Sequence, residues 1–420
     1  MKRAILATLA ALAALYAVVT VWRATERAAG LDFYIYYVNA QLAGREDLGN
    51  IYDADVQSRI GEEFYERGQR SNSDLHKYDS GRRRFVDSVS SPFLYTTLRW
   101  VSRNYERALK QYHVLVFITF IAGFVLIAWR LRLSWAATLF LLAAMLLWYG
   151  GWEGDLRVGN VNSIQLAALG IALVSPPLAA GAVIGMLVAF KPNLLIVPLL
   201  LAVSRMVMRD WKRLKLETLG SAIGVAIALV AAAVNYGSFD IWLQWVARAN
   251  EFYHRLPTRM ERNVTPALSL FHQYGAAMSY ALAALLTIVA VIAIRRAKRR
   301  DDVLVAGVAI LIYLLSATVV WLHYMVLVVP VALALLRHRV TAVIALVALA
   351  AIAEEPYQLL WRKQVYPNDA YFIGPALVAL FVCAIWMLWR PRGAVWSAVT
   401  AVTAFTSPRR KSGDCGHRTP

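Results

Sequence analysis

The sequence predicts an all-α polytopic membrane protein, and three observations carry that prediction. Hydrophobic residues make up 59% of the 420 and charged residues only 17%, where a soluble globular chain holds roughly 45–50% and about 25%. The apolar residues are gathered into runs without a charge, more of them than one soluble core of this length can cover. Clusters of Lys and Arg stand at the ends of those runs, at Arg205 to Lys215, Arg295 to Arg300 and Arg390 to Lys411. That is the pattern left by the positive-inside rule and by contact with anionic lipid. The same clusters account for much of the formal net charge of +18. A nucleic-acid partner is therefore excluded, because it needs a basic soluble domain and none is present.

The runs fall at about 4–22, 112–129, 134–150, 161–175, 178–190, 192–204, 218–235, 275–294, 303–320, 325–336, 340–353 and 373–389, giving an expectation of about twelve transmembrane helices. Several are shorter than the roughly 20 residues that cross a bilayer. Read as one helix kinked at Pro192, the stretch 178–203 leaves Lys191 in mid-membrane, at a cost of roughly 2.5–3.5 kcal/mol. It also puts the basic loop 205–215 outside. Two short spans hinged at Lys191-Pro192 avoid both. The first run is expected to stay as an anchor, since it is long and Thr25-Glu26-Arg27 is a poor cleavage context.

Lys2 and Arg3 then hold the N-terminus inside, and an even number of spans puts both termini in the cytoplasm of a multi-pass inner (plasma) membrane protein. The long first loop, 23–111, is extracytoplasmic and reads as short amphipathic stretches, such as Val56 to Gly68, rather than a folded domain. Residues 1–406 form one integral membrane domain, and 407–420 a disordered basic cytoplasmic tail. Cys383 lies in an apolar run and Cys415 in the tail, which rules out a disulfide framework. The histidines lack metal-ligand spacing such as HExxH.

The polar residues that stand beside the spans are the candidates for chemistry. Asp32, in Gly30-Leu31-Asp32-Phe33-Tyr34-Ile35-Tyr36-Tyr37, is either a carboxylate held at the headgroup level to take a hydroxyl proton, or a solvated or helix-capping aspartate. Lys191 heads a short span before a proline, as a ligand for an anionic headgroup or phosphate or as a snorkelling lysine. Asn160 and Asn162, in Gly159-Asn160-Val161-Asn162 with Asp155 and Arg157 just before, suit sugar hydroxyls or a helix cap. His323 and Tyr324 interrupt two spans, to bind phosphate or orient an acceptor, or as interfacial anchors. The loop 236–274 sets Trp242, Trp245, Arg248, Tyr253, His254, Arg255 and Asn263 together, which suits a carbohydrate site and an interfacial belt alike. Asn263-Val264-Thr265 has the sequon pattern.

No P-loop, dinucleotide glycine fingerprint, GxSxG or DxD pair in a soluble domain is present. A sugar donor, if there is one, should thus be a membrane lipid.

In order along the chain these segments resemble glycosyltransferase family 87, polytopic enzymes of the GT-C class that include polyprenyl-phosphate-mannose-dependent α-mannosyltransferases. Asp32-Phe33-Tyr34-Ile35-Tyr36-Tyr37-Val38-Asn39-Ala40, Leu42, Gly44 and Ile51-Tyr52-Asp53 are similar to an opening D-F-x-x-Y-Y-x-x-A…L-x-G…Y-D. Ser91-Pro92-Phe93 is similar to a Y-P-P-L-type segment with its leading residues changed. Gly159-Asn160-Val161-Asn162 stands for G-Q-x-N with Asn in place of Gln, Lys191-Pro192 for K-P, and His323-Tyr324 for H-Y.

The resemblance implies a GT-C-like fold and an inverting transfer of a hexose, mannose first among them. The donor would be a polyprenyl-phosphate sugar and the acceptor an envelope glycolipid or glycan, on the extracytoplasmic face. It implies Asp32 as the catalytic base, with Lys191 and His323 as our choices for the donor phosphate. Tyr36, Tyr37, Asn160, Asn162, Tyr324 and Asn263 are expected to bind substrate. No metal or cofactor is demanded, since fixed cations stabilise a phosphate leaving group. The competing readings are a lipid or sugar transporter or flippase without transferase activity, which calls for polar residues in mid-bilayer, and a GT-C ligase or phosphoethanolamine-type transferase, the latter calling for a metal cluster and a nucleophilic Ser or Thr.

Overall fold

The computed structural model describes residues 2–25, 28–45, 47, 49–254, 267–297, 301–353 and 370–389, and these contain helices and no strand. The order begins with α1 (Lys2–Thr25), then four helices between the first two long apolar ones: α2 (Leu31–Gln41), α3 (Ala54–Gln69), α4 (Asp74–Arg82) and α5 (Pro92–Thr97). Next come α6 (Tyr105–Arg130), α7 (Trp135–Trp148), α8 (Gly150–Val158), α9 (Asn162–Val174), α10 (Pro177–Phe190), a 3₁₀ turn at Pro192–Leu194, α11 (Ile196–Val207) and α12 (Trp211–Tyr236). The chain continues through α13 (Asp240–His254), α14 (Ala267–Tyr274), α15 (Ala276–Arg296) and α16 (Asp302–Ser316). A 3₁₀ segment (Leu322–Val328), α17 (Val329–Leu335), α18 (Arg339–Ala351) and α19 (Ala370–Trp389) complete it.

Among the described residues, four helices are long and apolar enough to cross a membrane: Ala4–Thr25, α6, α12 and α15. The pair α7 and α8, bent by 58°, makes a fifth if it is one broken span. Most of the other expected spans appear as apolar helices of 10–17 residues. The breaks have local causes. Pro176 and Pro177 separate α9 from α10, and Lys191 takes an extended φ of −155° before Pro192. The hinge expected at Lys191-Pro192 is therefore present, and the count of twelve membrane-length helices is not established.

The segment 23–111 differs from its expected form. Rather than loose amphipathic stretches, it supplies capped helices whose apolar faces join the core. Asp53, Ser73 and Ser91 cap α3, α4 and α5 by accepting from backbone N–H groups one turn on. Phe33, Tyr34, Tyr37, Ile60, Phe64, Leu94 and Tyr95 are all buried. Helix α6 begins at Tyr105 on the Asn104 cap, several residues before its apolar run.

Polar groups collect at the two ends of the bundle. At one end Arg205, 1% exposed, binds Glu217 at 2.9 Å and Asp302 at 2.6 Å. Arg213 reaches the same two acids, and Arg337 binds Asp301 at 2.7 Å. The far end of α16, fifteen residues and so roughly 22 Å away at 1.5 Å per residue, leads into the 3₁₀ segment that carries His323. The ion-paired residues at the first end come from described segments expected on one face, and His323 lies at the other end.

The closest helix contact is between α10 and α12. Gly181 and Gly185 lie on the backbone of Glu217 and Ser221, and Gly220 and Gly224 on that of Leu178 and Ala182. Small residues four apart on both helices let the backbones touch, a packing that replaces the hydrophobic drive lost in lipid. Gly185→Leu forces the pair apart, and overpacking of this kind costs about 1–3 kcal/mol. The melting temperature in detergent is expected to fall by several degrees, whereas Gly81→Ala, at a glycine with open space around it, is expected not to lower it.

Candidate functional site

The site is built on the first turn of α2. The Gly30 N–H, at its N-cap, donates to Asp79 Oδ2 at 3.2 Å, so α4 holds this turn, and no side chain caps α2. The Asp32 side chain, 17% exposed, turns inward. Its Oδ1 accepts from Arg83 Nη2 at 2.9 Å and its Oδ2 from Asn160 Nδ2 at 2.8 Å. Neither the solvated-loop nor the capping form of this aspartate is present.

Asn160 is placed by its neighbours on both sides. Helix α8 ends at Gly159 in the left-handed region, φ 70°. A Cβ there would also run into the Phe33 Cβ at 2.7 Å, so only glycine fits. The Asn160 carbonyl accepts from the Tyr112 hydroxyl at 2.8 Å. Its amide nitrogen gives one proton to Asp32 and has His323 Nε2 at 3.2 Å for the other, with the ring nitrogen as acceptor in that arrangement. Its Oδ1 accepts from Lys191 Nζ at 3.1 Å, Val161 N–H at 2.8 Å and Asn162 Nδ2 at 3.2 Å.

Behind Asn160 stands Asp155, fully buried. Its Oδ2 accepts from the Ser163 hydroxyl at 2.6 Å and the Ser163 N–H at 3.0 Å, and its Oδ1 from Asn162 Nδ2 at 2.9 Å. The helix cap expected from the two asparagines is thus supplied by Asp155, at the positive end of α9 where an anion is favoured. Asn162 also donates to the His323 carbonyl at 3.2 Å. It is fully buried and links two backbones.

Lys191 and His323 close the ring. The Lys191 ammonium lies 4.6 Å from the Tyr324 ring centroid as well as on Asn160, a cation–π contact that fixes it away from the snorkelling position. His323 stacks on Tyr324 at 4.8 Å, and both are buried in the 3₁₀ segment instead of sitting as interfacial anchors. Gly151 and Gly154 on α8 leave the room for that segment to approach.

Asp32, Asn160, Asn162, Lys191, His323 and Tyr324 are therefore brought together from four separate stretches of chain. Tyr36 is buried nearby, and burial first and the Asp32 carboxylate second push its phenol well above the ordinary value. Tyr37 does not join. Its hydroxyl donates to the Arg103 carbonyl and its ring packs on Phe64 and Tyr105, so it belongs to the scaffold. Asn263 and Arg255 lie outside the described residues. Trp245 and Arg248 hold the loop 83–91, through the Val89 carbonyl at 3.1 Å and Asp87 at 3.0 Å, and Trp242 donates to the Leu229 carbonyl at 3.3 Å. These three are used in packing.

The sequence did not single out Arg83, which sits in the run Arg82-Arg83-Arg84 with nothing to distinguish it. Asp155 was visible only as a neighbour of the asparagines. Among the described residues, no group of three or more His, Cys, Asp or Glu is placed to hold a metal ion. One residue before Lys191, Phe190 lines an apolar cavity of about 280 Å³ between α5, α6, α9 and α10. The Phe190 carbonyl accepts from Ser91 Oγ at 2.8 Å, which ties α5 to this corner.

Removing the Asp155 carboxylate strands four buried donor contacts, from the Asn162 N–H and Nδ2 and the Ser163 N–H and hydroxyl, and a buried donor left unsatisfied costs about 1–3 kcal/mol. Asp155→Ala is expected to lower thermal stability and activity together, read by melting in detergent. Asp32→Asn, which keeps the size and an acceptor, is expected to leave the melting temperature nearly unchanged.

The family model described as Glycosyltransferase family 87 matches residues 93–320. That stretch contains Asn160, Asn162 and Lys191, with Asp32 and Arg83 before it and His323 and Tyr324 just after. No curated protein and no solved structure matches the chain. A family match over more than half of the chain, on an all-helical membrane scaffold, makes this protein a member of glycosyltransferase family 87.

Proposed function

We propose that this glycosyltransferase moves a hexose, mannose in the first instance, from a polyprenyl-phosphate sugar to an envelope glycolipid or glycan. The transfer takes place on the extracytoplasmic face and inverts the anomeric centre. The observation that carries the reading is one hydrogen-bonded unit in which a carboxylate, an ammonium and an imidazole meet through the Asn160 amide.

Each group has a step to perform. The acceptor hydroxyl attacks the anomeric carbon in line with the bond to the donor phosphate. As the new C–O bond forms, Asp32 takes the hydroxyl proton, and the C–O bond to phosphate breaks with its electron pair on the phosphate oxygen. Lys191 faces the charge that develops there, and His323 hydrogen-bonds the same group. The polyprenyl phosphate stays in the membrane. The apolar cavity beside Phe190 suits a donor whose phosphate is carried on a hydrocarbon tail, and it supports a lipid donor over a nucleotide sugar.

Supplying membranes with radiolabelled polyprenyl-phosphate-mannose tests the reading directly. Wild type is expected to move label into a glycolipid, and Asp32→Asn at matched expression to be slower by about 10²–10⁴-fold, the usual worth of a general base. Full activity in Asp32→Asn removes the base assignment. Transfer from polyprenyl-phosphate glucose or arabinose but not mannose changes the sugar alone, and transfer from a nucleotide sugar removes the lipid donor.

Lys191→Ala is expected to reduce kcat/KM for the donor by about 10²–10³-fold, as loss of one group that stabilises developing charge does. Unchanged donor KM and turnover in that variant take the phosphate away from Lys191.

A further inference from the structure

Three consecutive arginines leave α4, and they part ways at once. Arg82 lies over the Tyr78 ring at 5.8 Å. Arg84 pairs with Glu62 and covers the Tyr65 ring at 4.6 Å. Both serve the outer surface of the α3–α4 unit. Arg83 turns inward, with Nε donating to the Leu31 carbonyl at 3.1 Å and Nη2 to Asp32 Oδ1 at 2.9 Å. We infer that Arg83, backed by Asp79, is a positioning residue that fixes the direction of the Asp32 carboxylate, an inference that rests on Asp32 as the base.

The geometry is a clamp on three successive residues. Asp79, four residues before Arg83 and fully buried, holds the Gly30 N–H and the Tyr105 hydroxyl. Burial raises the Asp79 carboxyl, and those two hydrogen bonds and the Arg83 charge oppose the rise. One helical turn of α4 therefore grips the backbone at Gly30 and Leu31 and the side chain at Asp32. A guanidinium suits this because its N–H groups leave a rigid plane in fixed directions, so a carbonyl and a carboxylate bound to one plane are held relative to each other. Arg83 takes Oδ1 and Asn160 takes Oδ2. The carboxylate plane is then set, while each oxygen keeps a lone pair for an incoming hydroxyl. The Arg83 side chain is 32% exposed, and a pair of that exposure contributes little to stability. Its effect lies in direction.

Kinetics of Arg83→Gln, Arg83→Lys, Asp32→Asn and the double variant Asp32→Asn/Arg83→Gln, with the lipid donor at varied concentration, test this role. Misplacing a reacting group by about 1 Å costs about 10²-fold. Arg83→Gln is accordingly expected to lose roughly 10–100-fold in kcat with donor KM unchanged, and Arg83→Lys to recover part of that. Because Arg83 acts through Asp32, the double variant is expected to be no slower than Asp32→Asn alone.

A raised donor KM with kcat kept puts Arg83 on the donor phosphate and overturns the inference. So does a double variant whose losses multiply, or a melting temperature that falls in step with activity without rescue by lysine. A slow Asp32→Asn beside a full-rate Arg83→Gln removes the positioning role alone. A full-rate Asp32→Asn removes the base, and this role with it.

Discussion

The arrangement of the site depends on the side chain of Asn160. A primary amide offers two protons and two lone pairs, and in a buried setting all of them have to be used. Here the protons face Asp32 and His323, and the oxygen receives Lys191, Val161 and Asn162. An amide of that size gives one proton to a carboxylate and another to a ring nitrogen while accepting from an ammonium, and a single hydroxyl has only one proton to give. A carboxylate at this position would repel Asp32, and a hydrocarbon would leave the Lys191 charge without its acceptor. Gly159 lets the backbone come up against Phe33, which brings the short Asn160 side chain to these partners.

The second constraint lies at the other end of the same helices. Arg205, Arg213, Glu217 and Asp302 form a network in which the central pair is 1% exposed on each side. Taking such charges out of water is expensive, and the network returns little net stability. What it does is punish displacement, because sliding α11, α12 or α16 by one turn leaves a buried charge without its partner. The contact of α10 on α12 through four glycines acts in the same sense, since close backbone packing admits few registers. Alignment at that end carries along rigid helices to the other, where α10 ends at Lys191 and α16 leads into the His323 segment. In lipid, where polar groups are confined to helix ends and interiors, two polar clusters at opposite ends of a shared set of helices define the bundle between them.

Much of this was legible in the sequence because it depends on short-range rules. Charge-free runs mark the apolar helices, and Pro176, Pro177 and Pro192 mark their breaks. Asp32, Asn160, Lys191 and His323 stand out as polar residues beside apolar runs, and the structure joins them by hydrogen bonds across as many as 163 positions. What was not legible depends on packing between distant segments. Three adjacent arginines have one composition and three fates, decided by which face of α4 meets α2. The cap of α9 comes from Asp155 in the preceding helix, so local spacing pointed to the wrong residue. Tyr36 and Tyr37 are one residue apart on a helix and so point about 100° apart, which sends one toward Asp32 and the other toward Arg103. The segment 23–111 read as short amphipathic stretches rather than a folded domain because none of its helices is long and apolar. They gain their stability from tertiary burial of Phe33, Ile60 and Phe64, which local propensity does not report.

The distribution of the site along the chain follows from these two kinds of constraint. The stretch matched by the family model, 93–320, contributes the amide and the ammonium, and both are fixed by the bundle. Asp32 precedes that stretch, on a helix of eleven residues that no membrane-length element extends. Its position has to be secured locally. Asp79 does this through its burial, since a fully buried carboxyl that lost Gly30 and Tyr105 would pay for its desolvation without return. The first turn of α2 is thereby held against α4, and Asn160 reaches across to the same carboxylate from the bundle side. A carboxylate held from two sides is aimed more narrowly than one held from either, and that is what the proposed in-line transfer asks of Asp32 as its base.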